Sequence, residues 1–136
     1  MITNLQETVD LIRNNRMSLP QVRQLFGDAA SDAVSVDDWE ADYVSSNGEL
    51  SEYCTVAENS SGGPISTVGL LAYSSDGVTL YCSQYTAGLN GSTIMPSVST
   101  SLFNQADGET ILGVLFGSTA NGMTYFIERS LTINAV

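Results

Sequence analysis

Histidine and lysine are absent from the chain, and four arginines are its only basic side chains. Without imidazole there is no Ser-His-Asp or Cys-His relay and no histidine metal site. Without a lysine amine there is no Schiff base and no Walker-type phosphate clamp. The sequence also lacks a nucleophile elbow, a glycine-rich dinucleotide fingerprint and the spacing of a calcium loop. Most common hydrolase and transferase designs are thereby excluded, and what is left is acid–base work by carboxylates or a cysteine with an unusual base. Among residues 65–136 the only acids are Asp76, Asp107, Glu109 and Glu128, the first three in or beside expected turns. No pair of them has the look of a catalytic couple, so the chain is read as not an enzyme, with no cofactor and no metal site.

Long apolar runs are missing too: none approaches the roughly 20 residues that a membrane-crossing helix needs. The first sixteen residues carry Glu7 and Asp10 inside an apolar periodicity rather than a basic stretch followed by a hydrophobic core, so no secretion signal is expected. Only two cysteines occur, Cys54 and Cys82. They fit no metal motif, and without an export signal buried free thiols are expected rather than a disulfide. In the same absence, the matches to the glycosylation pattern at Asn59 and Asn90 carry no weight.

What is abundant is negative charge. Fifteen carboxylates face the four arginines, for a net charge of −11 on 136 residues. Such a surface repels nucleic acid and anionic membranes, so neither is an expected partner. The charge is also uneven. Residues 1–27 hold Arg13, Arg16 and Arg23 against Glu7 and Asp10, a balance of +1, whereas residues 28–136 hold thirteen acids and only Arg129, a balance of −12. Asp28, Asp32, Asp37, Asp38, Glu40, Asp42, Glu49, Glu52 and Glu58 form a stretch with no base among them. Its simplest reading is a solvated, solubilising surface. The cluster of Asp37, Asp38, Glu40 and Asp42 around Trp39 offers the oxygen ligands that a hard cation wants, but an acidic turn with Trp39 anchored in the core is the favoured account.

Length and a hydrophobic fraction of 43% bound the chain to one globular domain with its own core. Three regions are expected within it: a helical N-terminal arm (1–27), an acidic connecting region packed on the body (28–64) and an antiparallel β core (65–136). In the arm, Thr3 with Gln6 and Ser18 with Gln21 match capping boxes. Leu5, Val9 and Ile12 form one apolar stripe on a helix over 4–14, and Pro20 and Gly27 bracket a shorter second helix. Helices this short are marginal alone and must dock on the sheet or on a neighbouring chain. Residues 28–40 read as loop or weak helix, and 52–57 as a strand with Cys54 and Val56 on one side.

From residue 65 onward apolar residues alternate between turn signals. Asp76-Gly77, Asn90-Gly91, Asp107-Gly108 and Asn121-Gly122 suit tight hairpins, which predicts strands over 65–73, 78–86, 92–103, 109–116 and 123–136. Ile111, Leu112, Val114, Leu115 and Phe116 are apolar on both faces, so that strand should be central. The last strand is long enough that it must bend or reach another subunit, and Arg129 interrupts its apolar face, where a partner carboxylate is the default expectation. The fold class is therefore mainly β, an antiparallel sandwich or barrel-like meander behind two short N-terminal helices. The alternative is an α+β fold with a helix at 92–105, where Ile94, Val98 and Leu102 also fit helical spacing.

The leading functional expectation is a structural or assembly protein, an oligomeric β domain of the virion surface or capsid-decoration type, a trimer for instance. The alternative is an acidic inhibitor or immunity-type protein that binds a basic site on a protein partner. In either case the residues expected to meet a partner are Arg13, Arg16, Arg23, Asp37, Asp38, Glu40, Asp42 and Arg129. The expected location is the virion for the first reading and the cytoplasm for the second.

Overall fold

In a computed structural model the described residues are 5–27, 29, 33–44, 49–59, 62–89, 93–94, 97–100 and 109–135. Among the described residues two helices, α1 (Leu5–Asn15) and α2 (Leu19–Leu25), lead into eight strands: β1 (Val34–Val44), β2 (Glu49–Glu58), β3 (Ile65–Ser74), β4 (Leu80–Thr86), β5 (Thr93–Ile94), β6 (Ser97–Thr100), β7 (Thr110–Thr119) and β8 (Thr124–Ala135). The chain is mainly β with two short N-terminal helices, as its alternation predicts. The strand order is β4-β3-β7-β8-β1-β2-β5, with β6 also on β2. β6 lies near β4, so the two ends of the sheet approach each other and curl it into a half-barrel. The described part of 92–105 is strand, not helix. The Thr3 capping box and the turns at Asn90-Gly91 and Asp107-Gly108 lie outside the described residues.

β7 is the spine of the sheet. Its apolar residues point alternately to both faces, and it runs antiparallel between β3 and β8 with Leu115 opposite both Leu70 and Ile127. Ile111 and Leu115 face the interior of the curl with Val68, Leu70, Ala72, Tyr125, Leu131 and Ile133. Val114 and Phe116 face outward with Leu71 and Tyr73, and there they meet Leu5, Val9, Ile12, Leu19, Val22 and Phe26 of the helical arm. The stripe at positions 5, 9 and 12 is thus spent on the chain's own sheet. The Tyr73 hydroxyl donates to the carbonyl of Met17 at 2.7 Å, which pins the link between the helices, and Gln21 Oε1 accepts from the Ser18 N–H at 2.9 Å to cap α2.

Two of the expected hairpins form where glycine supplies a positive φ. Gly77 (φ 76°) turns β3 into β4 and Gly122 (φ 83°) turns β7 into β8. The rest departs from a simple meander. β6 crosses to β2, and β7 inserts between β3 and β8, because a strand apolar on both faces needs a neighbour on each side and a covering layer over each face. The sheet is also mixed: β1 pairs with β8 in parallel, Ala41 to Ile133 through Tyr43 to Ala135. That contact accounts for the length of β8, whose residues 124–132 serve β7 while its last three serve β1.

The expectation of loop or weak helix at 28–40 is corrected from Val34 onward, where β1 begins. Its alternation was hidden by one extra residue. Asp37 opposes Thr55 and Glu40 opposes Tyr53, three steps on β1 for two on β2, with Asp38 at φ 53°. This β-bulge shifts the inward positions from Val34 and Val36 to Trp39, Ala41 and Tyr43. Among the described residues no helix is long and apolar enough to cross a membrane.

Candidate functional site

The bulge sorts the β1–β2 hairpin into an acidic outside and an apolar inside. Asp37, Asp38 and Glu40 are exposed on β1, and Asp42 is half-buried two positions on. Opposite them, Tyr53 of β2 donates its hydroxyl to Glu40 Oε2 at 3.1 Å. That bond, with a smaller contribution from the charges of Asp42, Glu40 and Asp38, holds the phenol proton more tightly than usual. Among the described residues no basic side chain is paired with these four acids.

Trp39 fills the inward side. Its indole Nε1–H donates to Glu52 Oε2 at 2.9 Å, inside the curl. The charge run predicts a solvated Glu52; the residue is instead fully buried, because it shares the inward parity of Leu50, Cys54 and Val56 on β2. Burial holds its proton well above the usual carboxylate range, against the opposing effect of the indole hydrogen bond. Glu52 Oε1 has no hydrogen-bond partner among the described residues. The space under the pair is supplied by Gly113 on β7, where a Cβ would sit 2.5 Å from Glu52 Oε2 and 2.8 Å from the Trp39 ring.

Cys54 and Cys82 flank this site as buried free thiols. Burial, reinforced by Glu52, pushes Cys54 up to about 12 despite the opposing charge of Arg129, and pushes Cys82 up as well. Neither is a thiolate at neutral pH, so neither is a ready nucleophile. Among the described residues no group of three or more Cys, Asp or Glu side chains is placed to hold a metal ion.

The eight residues expected to meet a partner fall into separate places. Asp37, Asp38, Glu40 and Asp42 are brought together on β1. Arg129 lies near them but is turned to the rim of the interior, its guanidinium carbon 5.2 Å from the centre of the Trp39 ring. The expected carboxylate partner is replaced by an aromatic one, and the β7–β8 register runs unbroken through Gly113 opposite Arg129, without a bulge. Arg13 and Arg23 sit on the helical layer and reach their own sheet. Arg13 Nε donates to Ser83 Oγ at 2.7 Å, and Arg23 donates through Nε and Nη2 to both oxygens of Glu128 at 2.7 Å each. Arg16 is exposed at the end of α1 with φ 45°. Because the Arg23 and Glu128 side chains are 49% and 28% exposed, Arg23→Ala is expected to cost no more than about 0.2–1 kcal/mol and less in high salt. A double-mutant cycle with Glu128→Ala at two salt concentrations measures it.

Sequence reasoning missed Glu52 and its contact with Trp39. The parity of Leu50, Cys54 and Val56 already placed Glu52 inward, whereas the Trp39 contact depends on a bulge with no local signature. No protein family matches the chain, and no curated protein does. Among solved structures, the CARDB domain of a Pyrococcus furiosus protein, in complex with di-metal ions, is similar at a TM-score of 0.36 and 8% identity over 78% of this chain and 93% of that one. A likeness of that degree carries nothing about what this chain binds.

Proposed function

We propose that this domain works by binding and not by catalysis, offering the acidic outer face of the β1–β2 hairpin to a basic surface on a protein partner. The observation that carries this reading is the gathering of Asp37, Asp38, Glu40 and Asp42 on one side of a single strand, unpaired with any base among the described residues, in a chain of net charge −11. A field of one sign on a rigid hairpin speeds encounter with a basic surface and rejects acidic ones. The helical arm supports the same choice, because its apolar stripe and two of its three arginines are engaged on the chain's own sheet.

A lysine-rich peptide serves as the probe, titrated at several salt concentrations. The variant Asp37→Asn/Asp38→Asn/Glu40→Gln is expected to bind it about tenfold more weakly at low salt and with a flatter salt dependence. Asparagine tolerates the left-handed backbone at position 38, so the bulge survives the change. The control Glu7→Gln/Asp10→Asn/Glu109→Gln removes the same charge elsewhere and should bind like the parent. Equal loss in both variants sinks the reading, since the probe would then be answering net charge alone.

A second reading, homo-oligomeric assembly as in a virion surface or decoration domain, is favoured by β4, which among the described residues pairs as a strand along one side only, with β3. A strand paired on one side can accept another chain along the other. Light scattering across a concentration series separates the two: a stable oligomer favours assembly, and a monomer that still binds the peptide favours the acidic face.

A further inference from the structure

Residues 28–136 hold thirteen acids and a single base, Arg129, yet that base is not spent on any of the acids. Among the described residues the one ion pair joins Arg23 to Glu128, and Arg129 meets no carboxylate. Strand parity is the cause. Along β8, Glu128 is on the side of the helical layer and pairs with Arg23 there, so Arg129 takes the opposite face, the one that Ile127 and Leu131 present to the interior. On β1 the acids Asp37, Asp38 and Glu40 are exposed, and Trp39 among them turns inward. What Arg129 meets is therefore an aromatic ring: its guanidinium carbon lies over Trp39, 5.2 Å from the ring centre, and its charge is felt by the Cys54 thiol.

Arg129 is nevertheless exposed, although its parity is that of the core. β7 pairs with β8 from Thr124 to Thr132, whereas β1 pairs with it only from Ile133 to Ala135. Ahead of Ala41 on β1 and Ile133 on β8 the two strands are not paired with each other. Arg129 stands at that split, next to the strand that carries Asp37, Asp38, Glu40 and Asp42.

A ring beneath a guanidinium attracts its charge but accepts no hydrogen bond in the plane of the fork, which is the geometry that suits a carboxylate. Trp39 is itself held by burial and by the 2.9 Å bond to Glu52, so the cation over it is placed before anything binds and loses less freedom when a partner arrives. A free carboxylate is a poor ligand here, because a chain of net charge −11 repels it. A carboxylate carried on a basic surface arrives with cations that answer the acids of β1. We propose that Arg129 receives a carboxylate of the partner, so that the surface fitting the acidic face is basic with an acidic group set beside its cations. This rests on the binding role proposed above and adds selectivity to it, since a uniformly basic surface leaves Arg129 facing like charge.

Two lysine-rich peptides of one sequence, one ending in a free carboxylate and the other in an amide, are the probes, titrated against the full chain at low salt. The carboxylate lowers the charge of the peptide, so the field of the chain by itself favours the amide. The parent is expected to reverse that order and bind the carboxylate peptide about three- to fivefold more tightly, within the range of an exposed ion pair of good geometry. Arg129→Gln should bind the amide peptide at least as tightly as the other. Arg129→Lys keeps the charge without the planar fork and should fall between the two, which also serves if the glutamine variant fails to fold. Trp39 is the only tryptophan, and its emission should respond more to the carboxylate peptide than to the amide in the parent, with no such difference in Arg129→Gln. A parent that prefers the amide peptide or does not distinguish the two, or a preference for the carboxylate that survives in Arg129→Gln, overturns the role of Arg129 and leaves the acidic face as a binding surface. Binding of neither peptide overturns the acidic face and the role of Arg129 together.

Discussion

Replacing Phe116 with alanine is expected to cost about 3–5 kcal/mol of unfolding free energy, the range for emptying a fully buried aromatic site. The ring is completely enclosed on the outward face of β7 and forms the floor on which the helical layer stands. Phe26, just after α2, tilts against it at 5.1 Å and stacks on Phe126 of β8 at 5.0 Å, so one ring on β7 holds a second on the arm, which holds a third on the sheet. Gly69 of β3 lies directly under the Phe116 ring, in a space that any Cβ would occupy. The loss should fall unevenly. α1 and α2 are eleven and seven residues long, too short to persist once the layer beneath them is hollowed. Amide exchange in both helices should therefore accelerate more than exchange in β3 or β8. Chemical denaturation gives the total, and hydrogen exchange gives its distribution. A loss below about 1 kcal/mol, well under the usual cost of such a truncation, would show that the helices do not depend on this floor.

The helical layer was the legible part of the fold because its signals are local. Leu5, Val9 and Ile12 announce a stripe within three turns, Ser18 and Gln21 announce a helix start, and the doubly apolar run from Ile111 to Phe116 announces a strand covered on both sides. Turn chemistry was equally local at Asp76-Gly77 and Asn121-Gly122. What stayed hidden depends on contacts between residues far apart in sequence. Nothing near Ser97–Thr100 says that it will cross to β2, and nothing near Ile133 says that β8 will end beside β1 in parallel. β1 was hidden for a different reason: a single inserted residue at Asp38 reverses the parity of the alternation, so a window spanning it averages to no period. Glu52 was legible and overlooked. Counted with the acids around it, it looked like surface; counted with Leu50, Cys54 and Val56 on a period of two, it belonged inside. Arg129 shows the converse. Its charge predicts a carboxylate partner, while the residue it meets is Trp39, turned inward on β1 by the same bulge.

The Glu52→Gln variant is expected to gain stability over the parent as the pH rises. In the native chain burial holds the Glu52 proton well above the ordinary carboxylate value, whereas in the unfolded chain the group titrates near about 4.3. Below that pH both states carry the proton and the group contributes nothing to the pH dependence. Above it the unfolded state ionises and the folded state does not, so unfolding becomes easier by about 1.4 kcal/mol per pH unit until the folded group also releases its proton. Glutamine keeps an oxygen to accept the indole N–H of Trp39 and has no proton to lose, so this slope disappears. Any fixed cost of placing an amide N–H₂ at the unpartnered oxygen appears equally at every pH. The difference between the two chains therefore isolates the one group, even though the other carboxylates of a chain with net charge −11 also make stability depend on pH. Urea denaturation of both chains at intervals from pH 4 to pH 8, at constant ionic strength, measures it. A stability difference that stays constant with pH would mean that Glu52 ionises as readily in the folded chain as in the unfolded one, and that the interior of the curl is wetter than its packing indicates.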